Sequence, residues 1–166
     1  MRRPPNATRG EPTAVPEQMS IQQRSALSQL AAGEQLLTYG IVVPVKSAKG
    51  IKVSFHGHGK LGGHVGDYLM HNIGAASGGA GSIASGMPQT SGALLLRVTD
   101  QRVGLVRHLD GTPVWEVPRT WVARVERRPR LQLMARFRLH YADGSWLAFL
   151  TMRRRTIETF KGVLGG

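Results

Sequence analysis

The chain has 166 residues, enough for one domain with a substantial core, and 41% of them are hydrophobic. It contains no cysteine, which excludes disulfides, thiol catalysis and thiolate metal sites. The net charge of +12 favours anionic partners such as a lipid surface, nucleic acid or an acidic protein, although the more than threefold excess of arginine over lysine is also what GC-rich coding would produce.

Residues 1–19 are polar and proline-rich without periodicity, and read as a disordered tail. Nothing there resembles a signal peptide, and no apolar run approaches the roughly 18–20 residues of a membrane span. The chain therefore reads as cytoplasmic, at most peripheral at a membrane. Ser20-Ile21-Gln22-Gln23 fits a capping box, and Ile21, Leu27, Leu30 and Ala31 outline a short helix over 20–32. Glu34 to Val45 is strand-like, with Pro44 marking an edge or bend. Ser47 to Gly50 is a turn, and Ile51 to Phe55 a second strand.

Residues 56–92 are an insertion rich in glycine. Val65, Leu69 and Ile73 allow two helical turns, but Gly74 to Gly86 is almost all Gly, Ala and Ser. Such a stretch buries too little surface to offset its ordering entropy, so a mobile insertion is predicted. Gly57-His58-Gly59-Lys60-Leu61-Gly62 matches G-x-G-x-x-G, yet Gly62-Gly63 is a poor helix start and no β/α alternation follows, so a dinucleotide site is set aside. His56, His58, His64 and His71 could supply metal ligands, but only Asp67 lies near, and a solvated loop is the preferred reading. No metal and no cofactor is expected.

From Gly92 onward turn signals recur about every ten residues, the spacing of an all-β sandwich or barrel. Leu94–Thr99 and Arg102–Arg107 form a hairpin about Asp100-Gln101. Asp110-Gly111 is a second turn, because glycine accepts positive φ without steric cost. Val114–Val117 follows, and then Trp121–Glu126, closed by Arg127-Arg128-Pro129-Arg130. Leu131 to Tyr141 alternates, with Leu131, Leu133, Ala135, Phe137, Leu139 and Tyr141 inward and Met134, Arg136, Arg138 and His140 outward. Asp143-Gly144 turns the chain into Trp146–Leu150. Trp121 and Trp146 are expected in the core; the pattern assigns no side to Trp115. Thr151 can cap a final helix whose apolar face is Ile157, Phe160 and Val163/Leu164. A helix there would cover an open side of the curved sheet.

Gly33-Glu34-Gln35-Leu36-Leu37, Leu94 to Arg102 with its Leu-Arg-Val-Thr-Asp-Gln-Arg run, Tyr141-Ala142-Asp143-Gly144 and the Phe160 helix resemble the bacterial PH-like (pleckstrin-homology-like, GRAM-related) domains. The resemblance covers about residues 33–164 apart from the insertion. It implies a mainly β, α+β fold: an antiparallel β-roll or barrel of about seven strands with a C-terminal capping helix, spanning 33–166. It also points at basic residues of the first hairpin, Lys46, Lys49 and Lys52, followed by Lys60, as phosphate holders, against the alternative of a solvated turn.

Two arginine sets stand apart. Arg153-Arg154-Arg155 would sit in the first helical turn and oppose the helix dipole, at about 0.3–1 kcal/mol each, unless an anionic partner offsets the cost or the helix starts near Thr156. Arg127, Arg128, Arg130, Arg136 and Arg138 form the second set, with Arg136 and Arg138 projecting together opposite Phe137 and Leu139. Gly92 to Gly166 holds 14 Lys and Arg against 6 Asp and Glu. The scattered acidic residues and the lack of G-x-S-x-G or H-E-x-x-H argue against hydrolase chemistry. The reading is a non-catalytic module that docks onto an anionic membrane surface or a partner protein. The alternatives are a nucleic-acid binder using Arg124–Arg138 and a self-associating structural module; the oligomeric state is not legible.

Overall fold

The structure is a computed structural model and describes residues 19–45, 76–90, 92–131 and 133–166. Helix α1 (Ile21–Leu27) precedes strand β1 (Leu36–Pro44). There follow β2 (Ala76–Ser77), β3 (Leu94–Thr99), β4 (Arg102–Val106), β5 (Pro113–Pro118), β6 (Val122–Leu131), β7 (Met134–Tyr141), β8 (Trp146–Thr151) and helix α2 (Arg154–Leu164). Every pairing is antiparallel, in the order β5-β4-β3-β1-β8-β7-β6, with β2 added alongside β8. The predicted mainly β fold with a C-terminal helix is thus observed. Among the described residues the sheet does not close, and β5 and β6 are its ends. Among the described residues no helix is long and apolar enough to cross a membrane.

β1 explains how one sheet makes one core. Its earlier residues pair with β3, and Val43 and Pro44 pair with β8. Because β1 changes partner along its length, the sheet has two wings. Their inner faces meet: Leu96, Val103, Leu105 and Val117 of one wing share a core with Val125, Phe137, Leu139 and Phe149 of the other. The helix α2 covers this core through Ile157 and Phe160, both fully buried, with Val163 and Leu164 beside them. That is the face its spacing predicts. Phe160 lies 5.7 Å from Phe137, which stacks on Phe149 at 5.3 Å. Gly40 lets β1 approach this helix, since a Cβ there would lie 2.5 Å from Thr156 Cγ2 and 3.1 Å from Phe160 Cζ. The two predicted Asp-Gly turns form, with Gly111 and Gly144 at φ +73° and +81°. In each, the aspartate Oδ1 accepts from the backbone N–H two residues on.

Several expectations change. Helix α1 is capped by Ser20, whose Oγ accepts from Gln23 N, but it ends at Leu27 and not at 32. It buries Ser25 and Ala26 while Ile21 and Leu27 are exposed. Ala26 packs with Leu95 and Val106, and polar bonds add to this anchor: Ser25 Oγ donates to His108 O and Ser28 Oγ to Asp110 O. Strand β6 runs through Arg127-Arg128-Pro129-Arg130, because an edge strand tolerates proline and the register shifts between Arg128 and Leu131. β6 ends at Leu131 and β7 begins at Met134, so Leu133 stands in the turn just before β7 and is exposed. Trp121 is exposed, whereas Trp115 packs on the main core, edge-on to Tyr141 at 5.9 Å.

The last part of the glycine-rich insertion is not loose. Ala76 and Ser77 pair with β8, and Ala84 and Met87 are buried in the core. Asp143 Oδ2 and Ser145 Oγ accept from Ile83 N and Ala84 N, supplying polar anchors that apolar counting overlooks. The tail 1–18 and the strand predicted at 51–55 lie outside the described residues.

Candidate functional site

Of the predicted site residues, Lys46, Lys49, Lys52 and Lys60 lie outside the described residues, as do the four loop histidines and the G-x-G-x-x-G stretch. The arginines of the second half can be placed. In the β6–β7 hairpin, Arg128 pairs directly with Arg136, Glu126 with Arg138, and Arg124 with His140. Like charges directly opposite repel. Glu126 relieves part of that repulsion, accepting from Arg128 Nη1 at 2.9 Å, with His140 Nε2 at 2.7 Å. The hydrogen bond from His140, and then that from Arg128, hold the Glu126 carboxyl below its usual range despite desolvation.

Arg136 and Arg138 share the outer face, as the alternation requires, but they do not project alike. Arg138 lies over Trp146, its guanidinium carbon 3.8 Å from the ring centroid. Desolvation first, and the neighbouring Arg128 charge second, lower its pKa, with Glu126 opposing. Arg136 Nε donates to Pro129 O at 2.6 Å, which steadies the register shift of β6.

Thr151 does not cap α2. It is a buried strand residue whose Oγ1 donates to Ile41 O at 3.0 Å. The helix starts at Arg154, its cap position is Arg153 without a side-chain cap bond, and its first turn holds no acidic residue. Arg153, Arg154 and Arg155 are all exposed.

Topology brings the two arginine sets together. The last β7–β8 pair is Ala135 with Thr151, and the last β6–β7 pair is Leu131 with Met134. One residue further, the tip of the β6–β7 hairpin lies beside the corner between β8 and α2. Leu133 at the tip is 63% exposed and Met152 at the corner 61%. Arg127, Arg128, Arg136, Arg153, Arg154 and Arg155 all belong to this end of the sheet. The Arg127–Glu158 pair, 3.0 Å apart and largely exposed, ties the hairpin to α2. A separate cleft of about 490 Å³, lined by Gln89, Arg107, His108 and Asp110 among others, belongs to the other wing and shares no residue with this end.

A second polar assembly was not legible in the sequence, and it is interior. Arg97, whose side chain is fully buried, donates to Glu116 Oε1 at 2.6 Å and to Ser28 O at 2.6 Å. Arg102 donates to Glu116 Oε2 at 2.6 Å and grips both oxygens of Glu34, at 2.8 and 2.9 Å. Thr99 Oγ1 donates to Glu34 Oε1 at 2.6 Å, and Ala31 N to Oε2 at 2.8 Å. Gln35 N donates to Asp100 Oδ1, and Asp100 N returns to Gln35 O. The two short motifs at 33–37 and 98–102 therefore meet in space. Arg102 above all, then Thr99 and Ala31, hold the Glu34 carboxyl down to about 2 against the cost of burial. Both carboxylates are engaged by arginine, so the assembly locks α1 and β1 onto the β3–β4 hairpin. A signal existed: a charged residue inside Leu94-Leu95-Leu96-Arg97-Val98 requires a buried partner.

No protein-family model matches the chain, and no curated protein matches it. The fold defines the class: an open, two-winged antiparallel sheet covered by its terminal helix.

Proposed function

We propose that the protein is a non-catalytic, PH-like binding module that docks onto an anionic surface, of a membrane or of a partner protein, through the arginine-rich end of its sheet. The observation that carries this is the convergence of two arginine sets separated in sequence, Arg127, Arg128 and Arg136 with Arg153–Arg155, around one hairpin tip. Arg153, Arg154 and Arg155 stand where a helix prefers acidic residues, and stability alone gives no reason for them. Near an anionic membrane each arginine contributes about 1 kcal/mol, so these three supply about 3 kcal/mol at low salt. The PH-like assignment is supported by the strand meander, the terminal helix and the meeting of the two motifs. The non-catalytic assignment is supported by the engagement of Glu34, Glu116 and Glu126 with arginine partners.

The test is retention of the full chain on immobilised heparin, a soluble polyanion probe, against the Arg153→Glu/Arg154→Glu/Arg155→Glu variant. The wild type should elute at clearly higher salt than the variant. Equal elution, or no retention of the wild type at low salt, refutes the reading. A Lys46→Ala/Lys49→Ala/Lys52→Ala variant run alongside tells whether the first-hairpin lysines share the role.

A further inference from the structure

We infer that the docked surface is a lipid bilayer carrying anionic headgroups, and that Leu133 and Met152 enter its interface within the ring of arginines. This rests on the docking reading above and makes its partner specific. Leu133 and Met152 are each more than three-fifths exposed, come from different segments, and stand at adjacent tips of one end of the sheet. Leu133 escapes the core because the β6–β7 turn ends the alternation there. Met152 escapes because Thr151 is the last residue of β8, and α2 begins only at Arg154.

The chemistry of the patch selects among polyanions. A nucleic-acid backbone offers charge but no apolar layer to receive two aliphatic side chains. A bilayer offers both in the needed order, with phosphates above and acyl chains below. Arginine suits the upper layer, because its guanidinium binds phosphate oxygens in a fork while its stem lies along apolar surface. Arg153 adjoins Met152 in the chain, and Arg128 and Arg136 flank the hairpin that carries Leu133. The Arg127–Glu158 pair is exposed and weak, so a lipid phosphate can take its place. Among the described residues Leu109 is also strongly exposed, but it stands at the other wing next to acidic Asp110, apart from the arginine sets.

The experiment is cosedimentation of the full chain with vesicles of phosphatidylcholine alone or with about one-third phosphatidylserine. Heparin retention is measured on the same proteins. The Leu133→Ser/Met152→Ser variant changes only exposed side chains and should fold. Its partitioning to anionic vesicles should fall about tenfold or more, while its heparin elution stays unchanged. The Arg153→Glu/Arg154→Glu/Arg155→Glu variant should lose both. If the serine variant binds anionic vesicles as well as the wild type, or if the wild type binds heparin but no vesicles, the bilayer inference is overturned while docking by charge stands. If the wild type binds neither, the docking reading itself is lost.

Discussion

Glu34→Gln isolates the interior ion network. Glu34 accepts four hydrogen bonds, from Thr99, Ala31 and twice from Arg102. Glutamine keeps one oxygen, so its NH2 would face donors that need an acceptor, and Arg102 would lose one of its two carboxylate partners. From an ordinary 4.5 the Glu34 carboxyl is held to about 2. At about 1.4 kcal/mol per tenfold change in proton affinity, that difference is worth about 3 kcal/mol. Because the folded-state value is depressed, this stability is present above pH 4.5 and is lost as pH falls toward 2. The assay is urea unfolding of wild type and variant, followed by tryptophan fluorescence at a series of pH values. At pH 7 the variant should be less stable by about 3 kcal/mol and melt roughly 10 °C lower. The deficit should shrink to about half near pH 3 and nearly vanish near pH 2. A deficit below about 1 kcal/mol at pH 7, or one that does not change with pH, would refute the network as a lock.

Three further changes test other parts of the structure. Gly40→Val forces side-chain atoms into Thr156 and Phe160, and should destabilise the fold by about 1–3 kcal/mol through displacement of α2; an unchanged urea midpoint contradicts that packing. The Tyr141 hydroxyl is buried without a hydrogen-bond partner among the described residues, and burial pushes its pKa up, so Tyr141→Phe should be neutral or stabilising by about 1 kcal/mol, whereas a clear loss of stability would reveal a partner. Arg154→Glu/Arg155→Glu should raise stability by about 1 kcal/mol while weakening polyanion binding, and a variant less stable than wild type would show that the arginines serve the fold.

What the sequence discloses follows the range of the interactions involved. The Asp110-Gly111 and Asp143-Gly144 turns are local chemistry and are placed correctly. The apolar face of α2 follows from spacing alone. The Arg127–Arg130 run looks like a break because three arginines and Pro129 interrupt the pattern, yet β6 is an edge strand, where such residues are tolerated. Leu133 fits the inward alternation of its neighbours, and only the position of the turn removes it from the core. Glu34 and Arg102 are 68 residues apart, a separation that periodicity does not register. The same holds for the candidate site. Both arginine sets are visible in the chain, but their meeting depends on strand order, which places β7 between β6 and β8.

The absence of cysteine allows the central claim to be tested at single positions. A polarity-sensitive fluorophore on Met152→Cys should shift to the blue when phosphatidylserine-containing vesicles are added to the full chain. The same fluorophore on Ala142→Cys, an exposed site at the far end of the β6–β7 hairpin, should not shift. An unchanged spectrum at 152 with vesicles bound, or equal shifts at both sites, contradicts docking through the arginine-rich end.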